Sequence, residues 1–216
     1  MHIDIWSDVV CPWCYLGKRR IERALEDFEH RGEESIAHRS FQLDPSKPRH
    51  VTTSRRQMLM AKYHLAEDQV RAMDEKMERT AAADGLTYRL AEEGLTGNTF
   101  DAHRVLHLAK ARGRENDVLD RLYRAYFSEQ RSLFDTNSLV TLADEAGLDA
   151  DEARRVLEGD AYAQEVAADL SEARMLGISG VPFFVIDDRY GVSGAQPVAV
   201  FRQALAHAWA NRVTAS

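Results

Sequence analysis

The chain has 216 residues, 44% of them hydrophobic and 29% charged, a composition that excludes wholesale disorder. Its 35 acidic and 28 basic side chains leave a formal net charge of −7, so no basic excess exists to neutralise nucleic-acid phosphates. The two cysteines, Cys11 and Cys14, are too few for a disulfide-stapled scaffold or a four-cysteine zinc ribbon.

Residues Met1 to Asp8 show no basic start, long apolar run or small-residue cleavage site. No apolar stretch approaches the roughly 20 residues that span a bilayer. A cytoplasmic protein without membrane attachment is expected. In that compartment a lone C-x-x-C is more often catalytic or metal-binding than structural.

Ile3 and Ile5 alternate within residues 2–6 and predict a short strand, with a turn at Ser7-Asp8. A helix is predicted over 12–29, where Leu16, Ile21, Ala24, Leu25 and Phe28 recur at helical spacing. Pro12 suits its first turn, where a missing N–H costs nothing, and Gly32 lies beyond its end. Residues 35–43 read as a second strand and Asp44-Pro45-Ser46-Lys47-Pro48 as a linker.

From Arg49 to Val181 there is no proline. Ser54 with Gln57 resembles a capping box ahead of Met58 and Met60. Helices are predicted over 67–83, 99–112, 117–131, 137–146, 149–158 and 161–176, most followed by glycine. Met58, Met60, Met73 and Met77 fall at helical spacing and are expected in the core. Residues 182–186 and 190–192 then read as a hairpin, 193–197 as a loop and 198–209 as a terminal helix. The plan is an α/β fold in which a helical domain, 49–159, interrupts a domain made of 1–48 and 160–216.

The chemistry centres on Cys11-Pro12-Trp13-Cys14. Cys11 follows a strand and opens a helix. The first-turn N–H groups have no helical partners and point toward it with the positive end of the helix dipole, so a thiolate is stabilised there. Cys14 lies one turn on, within reach of Cys11. The pair therefore offers a nucleophile at Cys11 and a resolving thiol at Cys14, with Cys14 the more buried. Two inert buried thiols are the plain alternative. A metal would need two further ligands, and His2 and His103 are candidates only by default.

The order of strand, C-P-W-C, helix and strand resembles the thioredoxin superfamily. The inserted helical block resembles its DsbA branch. Trp6 to Cys14, Asn98-Thr99-Phe100-Asp101-Ala102-His103-Arg104 and Gly180 to Gln196 are similar to FrnE-type dithiol–disulfide isomerases, cytosolic members of that branch. The resemblance covers essentially the whole chain. It implies a thioredoxin-like fold with a large all-helical insertion and thiol–disulfide oxidoreductase or isomerase activity. It also implies a cis peptide bond at Pro182, packed beside the cysteine pair, with Val181 offering backbone groups to an extended substrate. A trans proline opening an edge strand is the plain alternative.

Trp13 and Pro12 are expected to meet substrate, and Asn98 and His103 match a segment near the cleft of related proteins. Asn98 could equally cap the helix that follows it, and His103 could be an interior histidine. Asp8 either raises the Cys11 thiol by like-charge repulsion or caps a turn, the latter being favoured. Lys18, Arg19 and Arg20 are expected to form a solvated face. FrnE relatives often carry a second cysteine pair that this sequence lacks, so an external thiol, glutathione or a thioredoxin-like protein, is expected to regenerate the site. Glutathione could also be a bound ligand; no tightly bound cofactor and no metal are expected. Substrates are disulfide- or thiol-containing proteins or small molecules, and related proteins can dimerise.

Two other functions fit parts of the pattern. Glutathione-dependent isomerases and transferases of the kappa or hydroxychromene-carboxylate isomerase type share the fold but usually carry serine in place of Cys11. A peptide-binding, chaperone-like module would use the cleft without turnover.

Overall fold

The computed structural model describes residues 1–92 and 94–212. Glu93 and residues 213–216, which fall within the predicted helical and C-terminal domains, lie outside the described residues. In chain order the elements are β1 (His2–Ser7), α1 (Pro12–Glu26), β2 (Ser35–Ser40), β3 (Thr53–Ser54), α2 (Arg55–Tyr63), α3 (Glu67–Ala83) and β4 (Leu95–Thr96). They continue with α4 (Phe100–Ala111), α5 (Glu115–Phe127), α6 (Thr136–Glu145), α7 (Ala150–Glu158), α8 (Ala163–Met175), β5 (Phe183–Ile186), β6 (Tyr190–Ser193) and α9 (Val198–Ala210). Two compact units result, Met1–Leu43 with Asp169–Ser216, and Asp44–Ala168. The sequence limits of 48 and 159 rest on a proline-rich turn and a glycine; the compact units divide ahead of that turn and inside α8.

In the first unit the sheet order is β2-β1-β5-β6, with β1 parallel to β2 and antiparallel to β5, and β6 antiparallel to β5. β1 is therefore an interior strand, and Ile3 to Ser7 are all buried. Its alternation divides them between two faces. Ile3 and Ile5 join Ile21 and Leu25 of α1, Phe201 and Leu205 of α9, and Phe184 and Ile186 of β5. Trp6 turns the other way, against Ala173 and Ile178. Asp4, on the Trp6 face, pairs with Arg39 at 2.6 Å. Asp169 accepts the Ser40 N–H on its carboxylate at 2.8 Å and the Trp6 indole N–H on its backbone carbonyl at 3.3 Å.

Several ends differ from the sequence expectation. β2 stops at Ser40 rather than Leu43, because the Phe41 N–H reaches back to Ser7 O at the last residue of β1 and no further ladder partner follows. α1 stops at Glu26, where the Phe28 N–H bonds Leu25 O in a tighter turn. α5 runs 115–127 instead of 117–131; Gln130 has φ 56° and the Arg131 N–H returns to Ala125 O, closing the helix early.

The second unit packs α4, α5, α6 and α7 around Val105, Leu108, Leu119, Leu122, Tyr123 and Leu142, all fully buried. It is not entirely helical: β3 and β4 form a two-residue antiparallel ladder. The Ser54 hydroxyl accepts the Gln57 N–H at 3.3 Å and starts α2. The methionine expectation needs correction. Met77 is buried; Met58 and Met60 are only partly buried, because α2 buries none of its residues, and Met73 falls on the exposed side of α3. Among the described residues no helix is long and apolar enough to cross a membrane.

Candidate active site

Cys11 is the N-cap of α1, with extended backbone (φ −89°, ψ 113°), and Pro12 is the first helical residue. The turn before it closes through the Cys11 N–H to Asp8 O at 3.0 Å, and the turn after it through the Cys14 N–H to Cys11 O at 3.0 Å. The pair is in the dithiol form. Both cysteines are buried, Cys11 at 4% exposure and Cys14 at 1%, while Trp13 between them is 47% exposed. The order follows from helix geometry: positions 11 and 14 fall on the inward side of the first turn and position 13 on the outward side.

Cys14 is held as a neutral thiol. Burial raises its pKa well above that of an ordinary cysteine, and its hydrogen bond with Cys11 raises it further. The Asp8 backbone N–H bonds the Cys14 sulfur and lowers the pKa, while the Asp8 charge raises it. Asp8 is 1% exposed and its carboxylate accepts the Leu43 N–H at 2.8 Å. Its side chain thus ties the end of the β2 segment to the cysteine loop, and its charge acts on Cys14.

Opposite Cys11 lies the segment before β5. The Val181–Pro182 peptide bond is cis. The Cys11 thiol points at Val181 O, 3.6 Å away. Pro182 is buried, and its carbonyl accepts the Gly194 N–H at 2.8 Å, which fixes it to the end of β6. Cys11, Pro12, Trp13, Cys14, Val181 and Pro182 all belong to the first unit.

Asn98 and His103 belong to the second unit. Asn98 accepts the Phe100 N–H at 2.8 Å and donates its amide to Lys47 O at 2.6 Å, bracing the start of α4. His103 is 1% exposed inside α4. The same segment holds a residue that sequence reasoning passed over. Arg104 is fully buried and donates to Ala161 O at 2.9 Å, to Asp101 at 2.9 Å, and to Val156 O and Gly159 O. It satisfies carbonyls at and beyond the C-terminal end of α7.

The expected solvated face at Lys18-Arg19-Arg20 is a second correction. Lys18 is 2% exposed and pairs with Glu22 one turn on; Arg20 donates to Ala195 O at 2.7 Å. Position 18 follows Cys14 by four residues and so shares its inward face, where the ion pair with Glu22 offsets the cost of burying an ammonium. Gly17 was also missed. An isolated glycine inside a helical pattern was its only signal.

No group of three or more His, Cys, Asp or Glu side chains converges as a metal site among the described residues. The fold and the cysteine turn define a thioredoxin-like domain carrying a mainly helical insertion. Residues 2–206 match the DSBA-like thioredoxin domain, and the chain belongs to that family. It is 50% identical to a probable DsbA oxidoreductase from Streptomyces coelicolor whose crystal structure superposes with a TM-score of 0.96, covering 100% of this chain and 93% of that one. The Bacillus subtilis protein YwbO is 26% identical over 206 residues, 95% of this chain and 96% of its own. A cytosolic disulfide reductase, DsbM from Pseudomonas aeruginosa, solved with GSH, shares the fold at 17% identity and a TM-score of 0.66, over 97% of this chain and 100% of its own.

Proposed function

We propose that the protein is a thiol–disulfide oxidoreductase or isomerase in which Cys11 is the nucleophile and Cys14 the resolving thiol. The Cys11 thiolate attacks one sulfur of a substrate disulfide, forming a Cys11–substrate disulfide and releasing the other sulfur as a thiolate, which takes up a proton. Cys14 then loses its proton and attacks Cys11, forming the Cys11–Cys14 disulfide and releasing the second substrate thiol. Two glutathione thiols, or a thioredoxin-like dithiol, return the pair to the dithiol form and are oxidised to a disulfide. The reverse sequence delivers a disulfide, and isomerisation requires only that substrate leave before Cys14 attacks.

The observation that carries this reading is a pair of hydrogen-bonded thiols in the first turn of α1, beside a cis Val181–Pro182 carbonyl. Cys14 also favours it over the glutathione-transferase reading, which needs no second thiol, and over a binding module, which needs none. Pro12, Trp13 and Val181 are the substrate contacts in this proposal, with Pro182 shaping the pocket floor. Asn98 and His103 enter it as further substrate-binding residues, tested through KM in Asn98→Ala and His103→Ala. A cytoplasmic setting with glutathione as redox partner accords with the DsbM likeness.

The test is insulin reduction by glutathione with wild type, Cys11→Ser and Cys14→Ser. Activity should vanish in Cys11→Ser, and Cys14→Ser should accumulate a mixed disulfide at Cys11. Undiminished turnover in Cys11→Ser removes the reading.

A further inference from the structure

Gly17 lies within α1, where an alanine would ordinarily be preferred. Its surroundings explain the glycine. A methyl group at Gly17 would sit 2.9 Å from Pro182 Cγ, 3.2 Å from Phe184 Cζ and 3.5 Å from Ala195 Cβ. Real carbon atoms do not approach to 2.9 Å, so one neighbour would have to move.

Which neighbour moves decides the consequence. Phe184 is fully buried on β5, and its ring packs edge-on against Phe201 at 4.7 Å. Ala195 lies in a loop that Arg20 of α1 holds by its carbonyl at 2.7 Å. Pro182 is a rigid ring at the end of a loop, and its carbonyl is tied to the Gly194 N–H. Pro182 is the nearest of the three, so the methyl displaces it most. Moving it shifts Val181, whose carbonyl lies 3.6 Å from the Cys11 sulfur.

We infer that Gly17 is a positioning residue: by admitting Pro182 against the backbone of α1, it sets the distance between Cys11 and Val181 at which an extended peptide disulfide is received. This rests on the thiol–disulfide reading above. Gly17 acts on Val181 through Pro182. A substrate long enough to lie along the Val181 backbone depends on that spacing. A small disulfide that needs only the Cys11 sulfur does not.

The experiment is single-turnover kinetics of the reduced protein with two oxidants, a peptide disulfide and the small aromatic disulfide dithiobis(nitrobenzoate). In both reactions the Cys11–Cys14 dithiol becomes a disulfide and the oxidant becomes two thiol groups, so no other reductant enters. Gly17→Ala should raise the half-saturating peptide concentration about tenfold, as expected for a small displacement of a docking strand. Its maximal rate and its rate with the aromatic disulfide should stay within about twofold of wild type. An unchanged half-saturation, or an equal loss with both oxidants, overturns the proposal. If Gly17→Ala lacks a cooperative unfolding transition, the same split is read in Gly17→Ala/Phe184→Leu, where the shorter side chain relieves the contact with Phe184 and leaves the closer one with Pro182. Wild type that oxidises with neither disulfide defeats the underlying thiol–disulfide reading, a result distinct from a Gly17 variant that behaves as wild type.

Discussion

The carboxylate of Asp8 accepts the backbone N–H of Leu43 at 2.8 Å, and the backbone N–H of the same aspartate bonds the Cys14 sulfur. One buried residue therefore braces the chain leaving β2 and shapes the setting of the inner thiol. The two roles separate by substitution. Asp8→Asn keeps an acceptor for Leu43 and removes the charge, so the Cys14 pKa should fall. Asp8→Ala should lose about 1–2 kcal/mol of stability as well, because the Leu43 N–H loses its acceptor. Both are read in a Cys11→Ser background, where one thiol titrates. A Cys14 pKa unmoved by Asp8→Asn would show that the charge does not reach it.

Cys14 should be inert in the folded, reduced protein. It is 1% exposed and its pKa is raised by burial. Iodoacetamide at near-neutral pH should modify Cys11 first and reach Cys14 only on unfolding, as mass spectrometry of the digested protein would show. The raised pKa also has a sign for stability. Above about pH 8.5 the unfolded chain releases the Cys14 proton while the folded chain keeps it. The reduced protein should therefore lose stability as pH rises past that point, and Cys14→Ser should lack this component of the decline.

Asp74 in α3 supplies a second pH dependence. It is buried and paired with Arg55, yet burial outweighs the pair and its pKa is pushed up to about 6. Between the ordinary carboxylate value near 4 and that raised value, the folded chain holds a proton that the unfolded chain has released. Stability should fall as pH rises through this window, and the fall should be absent in Asp74→Asn. Urea midpoints measured across the window check it. A constant difference between the two proteins would mean that the Arg55 pair dominates instead.

Arg104 is a structural keystone of the second unit. Fully buried, it serves three backbone carbonyls and the Asp101 carboxylate. Arg104→Ala leaves three buried carbonyls without this donor, while Asp101 keeps its pair with Arg49, and should cost about 3–5 kcal/mol in denaturant unfolding. Arg104→Lys should recover little, since an ammonium cannot reproduce the planar fork of donors. A loss below about 1 kcal/mol would mean that water or neighbouring groups take over these bonds.

The periodicity of the chain made most elements legible, because amphipathic alternation and capping residues act over a few positions. α3 runs over the predicted 67–83, and β5 and β6 fall within one residue of the predicted hairpin. Ends were less legible where a distant partner set them. β2 ends when β1 runs out of pairing residues, and α5 ends where Arg131 folds back on Ala125. Lys18 looked like part of a charged surface because a sequence does not show which face of α1 the sheet covers. The methionines of α2 matched a helical core pattern, but that helix buries none of its residues.

What the sequence determined by itself is the chemistry available: two thiols three residues apart after a strand, a proline at the first helical turn, and no third thiol to reset them. Those facts depend only on covalent order and helix geometry. Tertiary structure decided how the thiols differ and what faces them. Burial and the hydrogen bond with Cys11 hold Cys14 neutral, the cis Val181–Pro182 bond brings a carbonyl to Cys11, and Gly17 leaves room for that approach. Desolvation and steric fit are set by residues more than a hundred positions apart, and no local pattern in the chain encodes their distance.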